Sequence, residues 1–431
     1  MVEKIPENWM IADLHIHSKY SRATSPYLSF EALVKWAKIK GLHLLGTGDF
    51  THPKWFEEIK KLKSNDKGFY YFEEFPFIIS GEISLMYSDG GKGRRIHLIV
   101  LVPNIGIAER INSYFDSKGR RDYDGRPIFN ISADEFVREM KKISKDIEVI
   151  PAHIWTPWFS LFGSMSGFDT VEECFKDQTK HIFAMETGLS SDPEMNWRLS
   201  QLDKYALVSN SDLHSFWPWR IGREANVFEM RELSYKEFIG IIHEKNPKRF
   251  LYTIEVDPSY GKYHYDGHRA CNVCMNPSEA IKRQNRCPVC GRQLTIGVMH
   301  RVEELADRPE GYKPEGAIPF KSLIPLSEVI SNSIGVSQPF SKKVWAIYSK
   351  LIDRFGSELN VLLEAPKDEM AKVADDKLAS VIMGIRNGEI EIKPGYDGVY
   401  GYPVFGKENR PKGEEGPQPM PLDKQKNLME F

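Results

Sequence analysis

Between residues 10 and 230, short apolar runs alternate with amphipathic or loop segments. The runs at 10–14, 43–46, 76–80, 96–102, 148–151, 182–185, 206–209 and 226–228 have the length and apolar content of strands. Residues 30–40 place Leu33, Val34 and Ala37 on one face and stop at Gly41, the pattern of a helix closed by a left-handed cap. Strands alternating with helical segments predict an α/β domain.

The pattern changes further along. Residues 269–299 form a short cysteine-bearing stretch, Pro and Gly between 309 and 325 mark a boundary, and a helical pattern occupies 326–388. Residues 406–423 are rich in Pro, Gly and charge, a composition expected to be disordered. The predicted division is 1–235 for the α/β domain, 236–310 for the cysteine module and its flanks, 311–405 for a helical C-terminal domain, and 406–431 for a tail.

With 431 residues, 41% of them hydrophobic, the chain can build two or three cores. No apolar run nears the ~20 residues of a membrane span, so no membrane partner is expected. The first residues, with Glu3, Lys4 and Asp13, do not form a secretory signal, and a cytoplasmic location is expected. A net charge of -2 argues mildly against a purely electrostatic grip on nucleic acid. Local basic groups at 118–126, 245–249 and 282–286, together with bound metal ions, offset that argument.

The chemistry sits where the strands end. Asp13-Leu14-His15-Ile16-His17 follows the first strand, and residues two apart in an extended segment share a face, so His15 and His17 can point at one ion. Asp49 and His52 follow the second strand, Glu82 the third, His97 lies within the fourth, and His153 ends the next. Glu186 follows Phe183-Ala184-Met185, and Asp212 and His214 close the run at 206–214. Any one histidine reads equally well as an ordinary polar residue, but the recurrence at successive strand ends does not. Strand ends of an α/β barrel converge on one face. A mixed histidine and carboxylate set suits zinc, manganese or iron, and bridging carboxylates allow several ions at close range.

These residues resemble the PHP (polymerase and histidinol phosphatase) domain, through Asp-x-His-x-His at 13–17, Gly81-Glu82, His97, Pro151-Ala152-His153 and Ser211-Asp212-Leu213-His214. The resemblance implies a distorted (β/α)7 barrel with His15, His17, Glu82, His97, His153, Asp212 and His214 as ligands to two or three divalent ions, zinc, manganese or magnesium. Asp49 is expected as a further ligand and His52 as an open case, because the family's adjacent Asp-His is interrupted here by Phe50 and Thr51. Glu186 is expected either to ligate or to orient a histidine, and Asp212 and Glu186 are the expected catalytic carboxylates. Arg22 is expected to face a substrate phosphate. Trp155, Trp158, Trp217 and Trp219, beside His153 and His214, are the candidate substrate-binding aromatics, with core packing as the alternative.

Cys271-x2-Cys274-x12-Cys287-x2-Cys290 has the spacing of two zinc knuckles and predicts one structural zinc in an inserted or appended module. Cys174 stands alone and reads as an inert buried thiol. The chain ends Gln425-x-x-Leu428-x-x-Phe431, which resembles the short peptide that docks into a DNA sliding clamp. Taken together, PHP-type motifs, cysteine module and tail resemble archaeal endonuclease Q across nearly the whole length. That resemblance implies hydrolysis of the phosphodiester 5′ to deaminated bases (hypoxanthine, uracil, xanthine) and to abasic sites, in DNA repair. A histidinol-phosphatase-type phosphomonoesterase and a non-catalytic DNA-binding adaptor are the alternatives.

Overall fold

The computed structural model describes residues 5, 6 and 8–404. The helix Phe30–Lys40 forms as its pattern predicts: the Ser29 side chain accepts from Ala32 N–H, and Gly41 turns the chain away at φ 99°. Its apolar face packs on a mixed sheet ordered Phe320–Ser322, Phe250–Glu255, Ala225–Glu229, Trp9–Asp13, Leu44–Gly46, Phe75–Asp89, Tyr70–Phe72 and Lys63–Ser64. Phe75–Asp89 also pairs with Lys92–Val102, and that strand pairs with Glu148–Pro151.

From Glu148–Pro151 the contacts pass to the parallel pair Ala184–Glu186 and Ala206–Val208, because Ile154 N–H donates to Glu186 O at 3.1 Å. They return to the first strand through Leu14 N–H, which donates to the Asn210 side chain at 2.9 Å, and through a bridge between Ile16 and Leu213. This circuit draws the strand ends that carry His15, His153, Glu186 and Asp212 to the middle of Phe75–Asp89, where Glu82 lies within the strand and not after it.

One departure from simple strand–helix alternation is local. Strands Phe75–Asp89 and Lys92–Val102 form one long antiparallel hairpin, turned by Gly90 and Gly91 at φ 58° and 76°. Two successive positive-φ residues make the tight turn that matches strand twist. It carries the third and fourth strands well beyond the predicted runs at 76–80 and 96–102.

The C-terminal helices Leu326–Ser333, Lys342–Phe355, Glu358–Leu363, Lys367–Val373 and Asp376–Arg386 share one hydrophobic cluster with the α/β part. Trp36 on the first helix packs against Trp217 and Trp345, with ring centroids 5.3 and 5.7 Å apart. Between these parts a small unit pairs Asp266–His268 with Val273–Met275 around its own core of Met275, Ala280, Cys287 and Leu294. Among the described residues no helix is long and apolar enough to cross a membrane. Gln425, Leu428 and Phe431 lie outside the described residues.

Candidate metal centre

Two groups of donor atoms meet where the converging strand ends face the middle of the hairpin that carries Glu82 and His97. His15, His17, Glu82 and Asp212 bring one atom each within 4.8 Å of one another, and Glu82, His97 and His153 do the same. Glu82 belongs to both. Its Oε1 lies 2.6 Å from His97 Nδ1 and 3.0 Å from His153 Nε2, while its Oε2 lies 3.4 Å from His17 Nε2. Asp212 Oδ1 lies 3.0 Å from His17 Nε2 and 3.6 Å from His15 Nε2.

The backbone is bent to make this possible. Asp49, His153 and Asp212 all adopt positive φ, at 41°, 30° and 46°. Non-glycine residues rarely visit that region, and such strain concentrates at functional sites. Gly188, at φ +64°, passes so close to His153 that a Cβ there would lie 2.5 Å from the histidine Cβ.

The remaining carboxylates hold the histidines in place. Glu186 reaches His15 Nδ1 with both oxygens at 3.1 Å and also accepts from His153 N–H and the Asn210 amide. Asp49 Oδ1 takes His17 Nδ1 at 3.0 Å, and its Oδ2 accepts from Ser18 N–H and the Ser21 hydroxyl. With Nδ1 engaged, each histidine turns Nε2 toward the cluster.

Burial opposes charge on His15, but Glu186, Glu82 and Asp212 outweigh it and raise its pKa well above the ordinary value. His17 is likewise carried to about 10, chiefly by Asp49 against the cost of burial. Glu82 and Asp212 are held well below the usual carboxylate range by the surrounding histidines, again against burial. Yet His15 Nε2 and Glu82 Oε2 are buried without a hydrogen-bond partner. Orphaned donors of this kind, in a mixed imidazole and carboxylate set, fit divalent metal ions.

Asp49 and His52 join neither donor group. Asp49 is saturated by His17, Ser18 and Ser21, whereas His52 precedes the helix Pro53–Ile59 without a capping bond from its side chain and stacks on Tyr20, ring centroids 4.4 Å apart. Glu186, expected either to ligate or to orient a histidine and counted among the catalytic carboxylates, stands behind His15 rather than among the converging atoms. His214 sits at the rim, its ring 4.6 Å from that of His17.

Comparison with known proteins supports a nuclease reading. Residues 325–389 match the MJ0043 C-terminal domain family. The uncharacterized protein MJ0043 of Methanocaldococcus jannaschii is 33% identical over 291 residues, 66% of this chain, which spans only 34% of that protein's length. The uncharacterized protein YqxK of Bacillus subtilis is 28% identical, over 90% of this chain and 98% of its own. The solved structure of the lesion-specific endonuclease PfuEndoQ from Pyrococcus furiosus matches with a TM-score of 0.83 and 31% identity, covering 93% of this chain and 96% of that one. The chain belongs to the endonuclease Q family. An endonuclease Q complex with a 27-mer duplex substrate bearing an abasic lesion at the active site matches with a TM-score of 0.81, at 31% identity over 93% and 97% of the two chains. By family the chain is an endonuclease, a phosphodiester hydrolase.

Other expected residues of this endonuclease Q chain fall in different places. Trp155 is buried and donates to the Asn196 side chain at 2.8 Å. Trp217 and Trp219 stack on each other, centroids 5.6 Å apart, in the seam with the C-terminal helices. These three are core, because the loops after His153 and His214 turn inward to cover apolar surface. Trp158 alone of the four is exposed, and the Arg95 guanidinium lies 4.6 Å from its ring centroid. The Arg22 side chain is 74% exposed and pairs with Asp124.

A cation that the motifs did not single out, Arg126, reaches the cluster instead, 3.6 Å from Glu82 Oε2. The only sequence signal was its place in the basic run 118–126.

In the small unit, Cys271, Cys287 and Cys290 gather with His268, their donor atoms all within 4.8 Å. Backbone N–H groups of Cys290 and Val289 overcome the effect of burial and bring the Cys287 thiol down to about 6, which favours the ligating thiolate. Cys274 lies on the opposite face of its strand from Val273 and Met275, which pack on the small core, and its thiol is 3.9 Å from Pro394 O. The lone Cys174 is buried, and burial pushes its thiol up.

Proposed function

We propose that this endonuclease cuts DNA 5′ to deaminated bases (hypoxanthine, uracil and xanthine) and to abasic sites, as a step of DNA repair in the cytoplasm. The observation that carries the reading is Glu82 shared between two donor groups, with His15 Nε2 and Glu82 Oε2 left unpartnered, in a chain that matches endonuclease Q along nearly its whole length.

His15, His17, Glu82 and Asp212 would hold one divalent ion, and Glu82, His97 and His153 a second, with His214 at the rim. When bound, such ions supply Lewis acidity toward phosphoryl oxygens and lower the pKa of water to about 7. Glu186 and Asp49 fix the histidine tautomers so that Nε2 of His15 and His17 faces the cluster. Asp212, at the mouth, orients the attacking water, and Trp158 contacts the nucleotide beside the cut. Cys271, Cys287, Cys290 and His268, without the expected Cys274, would hold a separate structural zinc, so Cys287→Ser should lower the zinc content by about one ion per chain. Gln425, Leu428 and Phe431 tether the enzyme to a sliding clamp, and Leu428→Ala with Phe431→Ala should weaken that contact at least roughly tenfold.

The test is a panel of duplexes carrying uracil, hypoxanthine, xanthine, an abasic site or no lesion, with a phosphomonoester alongside, incubated with metal-loaded protein. Nicks confined to the 5′ side of lesions support the proposal. Phosphomonoester turnover without nicking would favour a phosphatase, and lesion binding without either reaction an adaptor.

A further inference from the structure

The segment before the strand Ile128–Phe129 is pinned across the mouth of the cluster. Gly125 N–H donates to Tyr20 O at 3.2 Å, the Thr51 hydroxyl donates to Gly125 O at 3.4 Å, and Ser84 N–H donates to Pro127 O at 3.1 Å. Asp124 Oδ1 accepts from the N–H groups of both Arg22 and Arg126. A Cβ at residue 125 would lie 2.1 Å from Asp49 Oδ2 and 2.2 Å from Ser21 Oγ, so only glycine lets the loop come this close to the histidine-orienting carboxylate.

This clamping leaves Arg126 little freedom. Its guanidinium lies 3.6 Å from Glu82 Oε2, the side chain is 22% exposed, and among the described residues the guanidinium, unlike the backbone N–H, donates no hydrogen bond. A planar group with five N–H donors, open to the mouth and fixed beside the shared carboxylate, is shaped to take two oxygens of a phosphate.

From this geometry we infer that Arg126 is a catalytic residue that binds non-bridging oxygens of the scissile phosphate and neutralises the charge that develops there. The inference rests on the phosphodiesterase reading of the cluster. Arg22, paired with Asp124 and directed to solvent, does not take this part.

The experiment compares wild-type protein with Arg126→Lys and Arg126→Ala, all metal-loaded. Three quantities are read: metal content, nicking of an abasic duplex, and affinity for inorganic phosphate by calorimetry. Both variants should keep the wild-type metal content. Arg126→Ala should lose roughly 10²–10³-fold in kcat, the loss typical of removing one donor from developing charge. Added guanidinium ion should restore part of that activity, and Arg126→Lys should remain impaired because an ammonium cannot form the two-pronged contact. Phosphate affinity should fall at least roughly tenfold in Arg126→Ala, about 1.4 kcal/mol.

Unchanged phosphate affinity, or an activity loss matched by metal loss and not rescued by guanidinium, would reduce Arg126 to a counter-charge for the carboxylates. If the wild type bound phosphate but nicked no DNA, the functional proposal would fail while the phosphate titration still decided the role of Arg126.

Discussion

Glu186 and His15 are joined by a two-oxygen contact, both carboxylate oxygens lying 3.1 Å from Nδ1. The contact leaves His15 Nε2 facing Glu82 and Asp212 with no hydrogen-bond partner. A carboxylate placed this way raises the basicity of the imidazole and fixes its tautomer. Glu186→Gln should therefore weaken metal binding by about 10–100-fold and leave the fold standing. Nicking should fall at limiting metal and recover in excess. A metal titration followed by nicking rate checks this, and a loss that excess metal leaves unchanged would give Glu186 a direct part in the reaction.

Proton linkage has a definite sign here. In the metal-free protein His17 holds its proton up to about 10, and His15 is raised well above 6.5 by its carboxylates. An ion must displace those protons, so binding at neutral pH releases protons and apparent affinity climbs as pH rises. Calorimetry of metal binding at pH 7, in two buffers with different heats of ionisation, should give different apparent enthalpies. Equal enthalpies would mean that His15 and His17 are neutral before the ion arrives. The same shifts bear on stability: the raised histidines contribute fully below 6.5, and for His17 that contribution is lost as pH rises through about 10. The depressed Glu82 and Asp212 contribute above their ordinary values of 4.5 and 3.8.

The C-terminal helices are fastened to the first helix by a buried pair, Lys40 Nζ at 2.7 Å from Glu358 Oε1. Pro218 O also accepts from Lys40, and Glu358 accepts from the Tyr348 hydroxyl and Leu326 N–H. Removing one partner strands the other charge, so Lys40→Met should destabilise by about 3–5 kcal/mol. Lys40→Met with Glu358→Leu should cost less than the two single changes summed. Chemical denaturation of the three variants measures the coupling, and strict additivity would show that the pair contributes nothing.

The tryptophans separate core from surface. Trp217→Ala should lower stability by about 3–5 kcal/mol, as large buried aromatics do. Trp158→Ala should leave stability within about 0.5 kcal/mol and weaken binding of an abasic duplex. Denaturation and fluorescence anisotropy read the two effects. A large stability loss in Trp158→Ala would make that residue structural as well.

Much of the centre was legible because it is local. Asp13-x-His-x-His, His153 and Asp212 stand at strand ends that the apolar runs already marked, Glu82 and His97 fall within the two strands of the long hairpin, and strand alternation sets which neighbours share a face. Spacing does not say whether a carboxylate faces the cluster or stands behind a histidine. Asp49 carries the same expectation as Glu82 and Glu186 an open one, and only their partners, His17 and His15, place both behind the histidines. The inward turn of the loops that bury Trp155 and Trp217, like the approach of Arg126 and His268, comes from contacts between distant segments. The long hairpin, by contrast, is encoded locally by Asp89-Gly90-Gly91, a turn signature that interrupts the helix–strand alternation.

Under the proposed function, nicking depends on the cluster that Glu82 and Asp212 build with the histidines. The most direct measurement is metal content, thermal stability and nicking of an abasic duplex for Asp212→Asn beside the wild type. A neutral amide keeps the size of the side chain but is a poor metal ligand and a poor base. The expected result is a folded protein with reduced active-site metal and no detectable nicking. Wild-type nicking by a folded Asp212→Asn protein would mean that the reaction does not need this cluster.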